Sequence, residues 1–506
     1  MSRFGVGFPG SSVIDDAADL ACARRYCCPP GVVSLDHVDA VRRFLTQNGL
    51  VLCNKDRNNS RATLTCAALY HHDYLETFSP DSPNYTDVNC SLSRALELLL
   101  AQSRPMLLVP LSKPKVAAIP YTYIQYKHKD TCSPESLWSK RRPVTSYVCV
   151  PWSWNLNICA RILTVIARCV PESSHFTLWR TCDLVSFVVD TNAEIARLPG
   201  SPAVVCGDIE NMFTMLPLRH CISALSWATE FFLAVSGCDV HDRRFLVDIR
   251  RRSAASLAPD SFRPPKSSPL RLFSASQTLA LTTWSIENAY FSVGNQTRHQ
   301  VLGVPQGSPT SPIISIITCM RAEYQFLSSL GADAKYVRAA RYIDDVMVVI
   351  LSSGDLARSA RIKSEFLRCY PPPLSLKCDT EPYVRTFLES QVTLGSGGIN
   401  LRYLCKNTSD VAAGRPLTFC NVMYVRSFVP MSRILQTLYT ALFRIPFASS
   451  SPELEFQGTV LRCLEFLVSG YSLFHLCYTL SKLHLRTGRC CFLAACTLLR
   501  NYFGRS

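Results

Sequence analysis

Hydrophobic and polar positions divide the chain into a middle part with strand patterns and a C-terminal part with helix patterns. Short runs of β-branched and apolar residues, as in "AVVCGDI" and "DVMVVI", predict buried strands. After residue 420, apolar residues recur at three- and four-residue spacing, which predicts helices in "MSRILQTLYTALFRI" and in "VLRCLEFLVSGYSLFHLCYTLSKL". The stretch "TVLRCLEFLVSGYSLFHLCYTL" carries Arg462 and Glu465 and is interpreted as a buried helix.

The rest of the chain is less regular. Residues 1 to about 50 show weak patterning and end in a predicted helix, "LDHVDAVRRFLTQNGL". From "VLCNKDRNN" to "RPVTSYV", short strand-like runs alternate with basic clusters. The stretch "RRRSAASLAPDSFRPPKSSPLRL" is rich in Ser, Pro and Arg, so we expect a flexible, loop-rich insertion at about residues 240–275.

Composition indicates a folded protein with an excess of positive charge. The 506 residues are too many for one ordinary core, so about two to four subdomains are expected. A hydrophobic content of 48% and a charged content of 18% exclude a disordered chain. The 53 Lys and Arg residues outnumber the 38 acidic residues, and the formal charge of +15 favours a polyanionic partner such as nucleic acid.

The cysteines and the apolar runs bear on the compartment. The 24 cysteines include no CxxC pair, so most are interpreted as small core hydrophobes in a reducing compartment. A zinc site built from Cys22, Cys27 and Cys28 is the alternative. The N-terminus lacks a secretory pattern, and no uncharged apolar run reaches the length needed to span a membrane. We therefore expect a nuclear or otherwise intracellular protein that is neither secreted nor in a membrane.

Three aspartates at strand ends are the first candidate site. Asp344 and Asp345 lie between two strand-like runs, where neighbouring carboxylates repel each other. Asp208 ends the run "AVVCGD", so a third carboxylate is expected at the end of a second strand. Three such groups can hold two divalent cations such as Mg²⁺, which would offset the repulsion. The alternative for the dipeptide alone is a solvated turn.

The stretch "LGVPQGSPTSPIIS" between these aspartates is the second candidate site. Two prolines restrict the backbone around Gln306 and Gly307, and Gly307 allows another backbone or a ligand to approach closely. Ser311 followed by Pro312 predicts the start of an apolar helix, with the serine as its cap. Such a loop is shaped to lie beneath a nucleotide and its template base.

The order of Asp208, this loop and then Tyr342-Ile343-Asp344-Asp345 resembles the palm of reverse transcriptases. The segments "NKDRNN" and "YTYIQYKHKD…SKRRPVTSYV" resemble the fingers of Penelope-like elements, and "LSLKCDTEPYVRTFLESQVTLGSGGINLRYLCKN" resembles the end of their palm. Two departures are visible: Pro305-Gln306-Gly307 replaces Ala-Met-Gly, as in retroviral or group II intron enzymes, and no GIY-YIG endonuclease pattern follows. Among reverse transcriptases, telomerase is a further family that the chain resembles.

The resemblance implies an α+β right-hand polymerase fold with fingers, an antiparallel palm sheet and a helical thumb. The expected regions are an N-terminal extension at 1–50, fingers with the start of the palm at 51–200, the palm at 201–405, and the thumb with the C-terminal region at 406–506. It also implies an RNA-directed DNA polymerase that extends a DNA primer on an RNA template with dNTPs. The alternatives are a non-catalytic nucleic-acid-binding descendant and an RNA-dependent RNA polymerase.

The same resemblance implies a catalytic role for each of several residues. Asp208, Asp344 and Asp345, with the backbone of Ile209, would hold two Mg²⁺ ions, for which Mn²⁺ is a possible substitute. Lys377 follows the catalytic hairpin, where related polymerases place a lysine that protonates the leaving pyrophosphate.

The incoming nucleotide is expected to contact a second set of residues. Its members are basic fingers residues, loop residues and two aromatic residues: Arg142, Lys127, Lys129, Lys140, Gln306, Gly307, Tyr342 and Phe213. The alternative for the basic residues is a solvated loop. Phe387 and Leu388 would open the primer-grip hairpin.

Phe213 also bears on whether the product is DNA or RNA. It lies five residues after Asp208 and would exclude a ribose 2′-hydroxyl, and its alternative is a core aromatic. Viral RNA polymerases usually place an aspartate at the positions of Met212 or Phe213, so DNA synthesis is the prediction.

Overall fold

The computed structural model describes most of the chain from residue 35 onward. The described segments are residues 35–56, 58–111, 117–127, 141–198, 200–351, 354–379, 385–395, 397–405, 407–408, 411, 413 and 430–503. The strands within them are β1 (Leu50–Asp56), β2 (Asn58–Cys66), β3 (Tyr85–Val88), β4 (Tyr121–Lys127), β5 (Arg141–Ser146), β6 (Ala203–Ile209), β7 (Phe245–Asp248), β8 (Ser256–Leu257), β9 (Leu270–Phe273), β10 (Tyr290–Val293), β11 (Gln296–Gln300), β12 (Val337–Tyr342), β13 (Asp345–Ile350), β14 (Leu376–Cys378), β15 (Arg385–Phe387), β16 (Ser390–Gly395) and β17 (Gly398–Tyr403). The α-helices are α1 (Leu35–Gln47), α2 (Ala67–Thr77), α3 (Leu92–Ser103), α4 (Ser153–Ala167), α5 (Asp183–Ile195), α6 (Met212–Met215), α7 (Leu218–Ser236), α8 (Ala275–Glu287), α9 (Ser311–Leu330), α10 (Leu356–Phe366), α11 (Met431–Phe443), α12 (Pro452–Val468), α13 (Leu473–Thr487) and α14 (Cys490–Phe503).

A four-stranded antiparallel sheet, in the order β12–β13–β6–β14, carries the two aspartate-containing runs. Its inner strands are apolar at nearly every position because both faces are covered. Val205 and Val348 belong to a core formed with helices α4, α7 and α9. Val204 and Val349 belong to another core, formed with α5 and the sheet β15–β16–β17. The strands predicted before Asp208 and around the paired aspartates are thus confirmed.

A seven-stranded sheet is built from two distant parts of the chain. Its order is β2–β1–β4–β10–β11–β3, and β5 also pairs with β4. Strands β10 and β11 follow β6 in the chain, yet they lie between β4 and β3 in this sheet. The predicted boundary at residue 200 therefore does not separate the two sheets. Helices α2 and α3 also interrupt the region where only strand-like runs were predicted, and α3 buries Ala95, Leu99 and Ser103 at four-residue spacing.

Helices α11 to α14 pack around a core of their own, as the spacing of apolar residues predicted. The single buried helix expected at residues 459–480 is two helices, because α12 ends at Val468 and a turn with Gly470 at φ 87° precedes α13. Arg462 and Glu465 form a buried ion pair of 2.6 Å within α12. Among the described residues, no helix is both long and apolar enough to cross a membrane.

The insertion at residues 240–275 contains more structure than its composition predicted. Strands β8, β7 and β9 form a small antiparallel sheet that buries Phe245, Val247 and Phe273. The indole N–H of Trp154 on α4 donates a 2.8 Å hydrogen bond to the carbonyl of Ile249. Ser and Pro do form the connections between these strands, but the strands are too short to be recognised from the pattern.

The described cysteines are free thiols, and most of them are buried as small core residues, as predicted. Burial raises the pKa of the Cys319 thiol to about 12, so this thiol is protonated at neutral pH. Cys22, Cys27 and Cys28 lie outside the described residues.

Candidate active site

Asp208 and Asp345 lie opposite each other on the inner strands of the four-stranded sheet. Asp208 is the penultimate residue of β6, and Asp345 is the first residue of β13. The antiparallel register pairs these two residues directly. Directly opposed residues share a face and have Cβ atoms about 4.5–5.5 Å apart. Both carboxylates therefore lie at the same corner of the sheet.

Asp344 lies in the two-residue turn that joins β12 to β13. Tyr342 pairs with Asp345 to close this hairpin, which leaves Ile343 and Asp344 at its tip. The backbone N–H of Ile209 donates a 2.9 Å hydrogen bond to the carbonyl of Asp344. The turn is thereby fastened to the end of β6, and it brings a third half-buried aspartate to the same corner.

Ile343 has a left-handed backbone conformation, with φ of 60°. A β-branched residue rarely adopts this conformation, which costs about 1–3 kcal/mol unless its surroundings hold it. Arg341, which is fully buried, directs its Nη1 to the carbonyl of Ile343 at 3.1 Å. This guanidinium therefore stabilises the turn that carries Asp344.

Glu323 of α9 balances the buried charge of Arg341. The guanidinium Nε donates to Glu323 Oε1, and Nη2 donates to Thr177 Oγ1 at 2.7 Å. The hydroxyl of Tyr370 and the backbone N–H of Phe176 donate to the same carboxylate at 3.0 and 2.9 Å. A buried ion pair is retained when its remaining polar atoms are satisfied in this way. This network was not predicted, because β12 carries two arginines, Arg338 and Arg341, and the local sequence does not show which of them is buried.

Arg341 and Tyr370 keep their protons at neutral pH. Burial alone would lower the pKa of the Arg341 guanidinium, but the Glu323 carboxylate raises that pKa above its ordinary value. Burial, together with the charge of Glu323, raises the pKa of the Tyr370 hydroxyl well above its usual range. Both groups therefore remain hydrogen-bond donors to Glu323.

Lys377 flanks Asp208 on the side away from Asp345. Strand β14 pairs with β6 so that Lys377 is directly opposite Asp208, and the lysine side chain is exposed. Asp208 thus has a carboxylate on one neighbouring strand and an ammonium group on the other. This position places a basic side chain beside the aspartates.

The loop that precedes α9, residues 301–310, is hydrogen-bonded to strand β5 of the seven-stranded sheet and to the short helix that follows β6. The backbone N–H of Thr145 on β5 donates a 2.8 Å hydrogen bond to the carbonyl of Gln306. Gly307 has φ of 130°, and a Cβ atom there would collide with the Thr145 carbonyl oxygen. The predicted close approach at Gly307 is therefore to another backbone. The helix begins at Ser311 as predicted, but the capping position is Thr310, and Ser311 Oγ donates to Pro305 O at 2.8 Å.

Phe213 lies in α6, the short helix that follows β6, and is held from the other end of the same loop. The N–H of Val304 donates to the carbonyl of Phe213 at 2.6 Å, and Gly303 donates to Leu216 O at 2.9 Å. The ring of Phe213 is half-buried against the core formed with helices α4, α7 and α9. Its position therefore combines a core contact with a partly exposed edge.

Adjacent arginines of β5 lie on opposite faces of the seven-stranded sheet. Arg141 lies on the buried face in an ion-pair network with two acidic residues of α2. The register of β4 and β5 places Arg142 and Lys127 together on the other, more open face. The structure thus brings two of the four predicted basic residues together. Lys129 and Lys140 lie outside the described residues.

A cavity of about 290 Å³ lies between the aspartate hairpin, helix α12 and the residues that follow α11. Tyr342 and Asp345 line one side of it, and Leu388, which has φ of 55°, lines another from the turn between β15 and β16. Phe387 is instead only 1% exposed and packs beneath the four-stranded sheet. Of the predicted hairpin pair, Leu388 is therefore the residue that reaches the cavity, and Phe387 supports the hairpin from below.

The donor set at the aspartate corner fits a hard divalent cation. Three carboxylates offer only oxygen ligands, which Mg²⁺ and Mn²⁺ prefer. Among the described residues, the group whose ligand atoms all lie within 4.8 Å of one another is instead His72, Asp73 and Glu76. Arg141 already bonds Asp73 and Glu76 at 2.8 and 2.6 Å, so a guanidinium occupies that cluster.

Comparison with solved structures finds telomerases. The chain is similar to telomerase from Candida albicans in complex with a TWJ fragment of telomeric RNA, with a TM-score of 0.52 and 10% identity, over 93% of this chain and 73% of that chain. It is also similar to apo telomerase from Candida tropicalis, with a TM-score of 0.51 and 11% identity, over 97% of this chain and 80% of that chain. No protein-family model and no curated protein sequence matches the chain.

These similarities define a class of fold. Two matches over nearly the whole chain, at 10% and 11% identity, show that the protein shares the mixed helix-and-sheet polymerase fold of the telomerase structures. The resemblance to reverse transcriptases in the motifs is thereby supported at the level of the fold. The assignment to Penelope-like elements stays a prediction.

Proposed function

We propose that the protein is an RNA-directed DNA polymerase, a reverse transcriptase of the kind that retroelements carry. The observation that supports it most is the direct pairing of Asp208 with Asp345, beside Asp344, on a fold shared with telomerase structures. In the proposed reaction, the 3′-oxygen of a DNA primer attacks the α-phosphorus of a dNTP opposite an RNA template. The bond to the β-phosphate oxygen breaks, and pyrophosphate leaves.

In this proposal, parts of the structure correspond to the fingers, the palm and the thumb of a right-hand polymerase. The seven-stranded sheet corresponds to the fingers, the four-stranded sheet to the palm, and helices α11 to α14 to the thumb. The Penelope-like motifs fall in the proposed fingers and at the end of the proposed palm. The cavity beside Leu388 would receive the 3′ end of the primer, because Tyr342 and Asp345 line it from the palm.

The aspartate corner would hold the metal ions. Asp208, Asp344 and Asp345, with the backbone carbonyl of Ile209, would bind two Mg²⁺ ions, or Mn²⁺ in their place. Such ions stabilise the charge on the attacking and leaving oxygens of a phosphoryl transfer. The chain itself sets the positions of these ligands, through the register of β6 with β13 and through the bond from Arg341 to the turn.

The remaining residues would bind the nucleotide and move a proton. Arg142 and Lys127, with Lys129 and Lys140, would neutralise the triphosphate, because a guanidinium fork pairs with two phosphate oxygens at once. Gln306 would contact the sugar from the loop that Thr145 holds. Lys377 would give a proton to the leaving pyrophosphate, for which its place beside Asp208 is suitable.

Primer extension tests this proposal directly. A labelled DNA primer on an RNA template, with Mg²⁺ and dNTPs, should be extended by the purified protein. Extension with rNTPs alone would instead identify an RNA polymerase. Binding of the primer–template without extension by either substrate would identify a non-catalytic descendant.

Arg142→Ala should raise the KM for dNTP and lower the rate of incorporation, because the triphosphate loses a bidentate partner. Steady-state kinetics on one primer–template would measure both constants. A matched control is Arg94→Ala, which removes an exposed arginine outside the proposed site. A change confined to duplex affinity and its salt dependence would make Arg142 a backbone contact instead.

Phe213→Ala and Phe213→Val should raise ribonucleotide incorporation relative to deoxynucleotide incorporation by at least about tenfold, or about 1.4 kcal/mol. The reason is steric, since the ring would occupy the space that a 2′-hydroxyl needs. The values of kcat/KM for dNTP and rNTP and the melting temperature would be measured together.

Phe231→Ala is the control for Phe213, because Phe231 is another half-buried ring on the same core. It should lower stability and leave the substrate ratio unchanged. If Phe213 serves only the core, its truncation should cost about 3–5 kcal/mol of stability and depress both substrates alike.

A further inference from the structure

The insertion between α7 and α8 concentrates positive charge. Residues 240–275 contain eight Arg and Lys residues against three Asp. Four of the arginines, Arg243, Arg244, Arg263 and Arg271, line one open groove of about 640 Å³. We call it the arginine groove.

The two acidic residues of the arginine groove are engaged locally. Asp260 forms a 2.9 Å ion pair with Arg244, and Asp242 accepts the backbone N–H of Asp239 at 2.7 Å. Asp242 thereby closes a turn at the edge of the groove. One of the four arginines is thus paired with a carboxylate and three are not; with four arginines against two aspartates, the lining keeps a net formal charge of +2.

These three arginines are held without carboxylate partners in the described part of the chain. Arg263 donates through Nη1 to the carbonyl of Asp260 at 2.7 Å, and Arg271 donates through Nη1 to the carbonyl of Leu270 at 2.8 Å. These bonds orient the guanidinium groups but leave their charge in place. Arg243 is exposed, and its side chain makes no hydrogen bond or ion pair with a described residue.

The arginine groove is remote from the aspartate corner. Helix α7 begins at Leu218, close to Phe213, and ends at Ser236, next to the groove residue Gly237. Nineteen helical residues span about 28 Å. Arg161 of α4 fixes the insertion on this side, with Nη1 bonds to the carbonyls of Asp248 and Ser253 at 3.0 and 3.1 Å. The groove therefore lies outside the proposed catalytic cleft, in an insertion that Arg161 fixes in place.

We propose that the arginine groove binds the phosphate backbone of RNA, at a site separate from the one that binds the primer–template duplex. An open groove with three unneutralised guanidinium groups suits a chain of phosphates better than a single anion, because each fork can pair with one phosphate. Arg250, Arg251 and Arg252 of the same insertion are also exposed. We take this RNA to be the template strand, and that identification rests on the proposed function.

The triple variant Arg243→Ala/Arg263→Ala/Arg271→Ala tests the site. Its affinity for a long single-stranded RNA, measured without nucleotides by fluorescence anisotropy, should fall by at least about tenfold at low salt. The slope of log K against log salt concentration should decrease by about 2, since about 0.7 is lost for each phosphate contact to a single strand. Extension of a short primer–template duplex that fills only the cleft should keep its wild-type rate.

The matched control is Arg94→Ala/Arg104→Ala/Arg368→Ala, which removes three exposed arginines outside the groove. It should change the salt slope little, and melting temperatures show that both triple variants are folded. Arg243→Glu is a second test variant, because the Arg243 side chain supports no described contact. An unchanged RNA affinity and slope in the groove variants would overturn the proposal and leave an acidic protein partner as the occupant. Since binding is measured without catalysis, a failure of the polymerase proposal would appear separately.

Discussion

Asp344→Asn should reduce primer extension to less than about a tenth of the wild-type rate, because the loss of a metal ligand costs several kcal/mol of barrier. Asparagine keeps the shape of the turn and its hydrogen bond from Ile209, which uses only the backbone of residue 344. Primer–template affinity should therefore stay close to that of the wild type. Single-turnover extension and equilibrium binding on the same duplex measure the two effects.

A matched control is Asp190→Asn, which neutralises an exposed carboxylate on α5 outside the candidate site. It should leave extension unchanged. A titration with Mg²⁺ adds a second readout, since the Asp344 variant should need more Mg²⁺ to reach its residual rate. Retention of more than about a tenth of the rate by Asp344→Asn would remove this residue from the metal site.

Arg341→Met should lower the free energy of unfolding by about 3–5 kcal/mol, because it leaves the Glu323 carboxylate buried without its cation. Urea unfolding, followed by circular dichroism, measures the loss. The control is Arg94→Ala, which breaks an exposed pair with Glu97 and should change stability by less than about 0.5 kcal/mol.

The double variant Arg341→Met/Glu323→Leu separates stability from positioning. It removes both buried charges and should regain part of the lost stability. Extension should nevertheless remain low, since no guanidinium then bonds the carbonyl of Ile343 in its left-handed conformation. Full recovery of extension together with stability would show that Arg341 serves the core alone.

The sequence was informative where a local pattern and a local structure coincide. The runs that contain Asp208 and Asp345 predicted two buried strands, and the pair Ser311-Pro312 predicted the start of α9. Both follow from the side-chain period and from the backbone limits of proline. The direct pairing of the two aspartates is a property of register, and register depends on residues that lie far apart in the chain.

The features that the sequence did not predict depend on long-range contacts. Arg341 pairs with Glu323, which also accepts a hydrogen bond from Tyr370, and nothing in the local sequence distinguishes Arg341 from a surface arginine. Phe387 and Leu388 were predicted to open a hairpin, but the local sequence did not show that the Phe387 ring packs beneath the four-stranded sheet. The strands of the insertion were missed because Pro and Ser outnumber the few apolar residues that pair.

The chain order of the seven-stranded sheet has a consequence for synthesis of the protein. Strands β1 to β5 leave the ribosome first, but β3 can join the sheet only through β11, which ends at Gln300. Pairings between residues so distant in sequence are slow to form, and unpaired strand edges stay exposed until they do. A nascent chain that has emerged only to residue 200 therefore contains most of these strands and cannot complete their sheet.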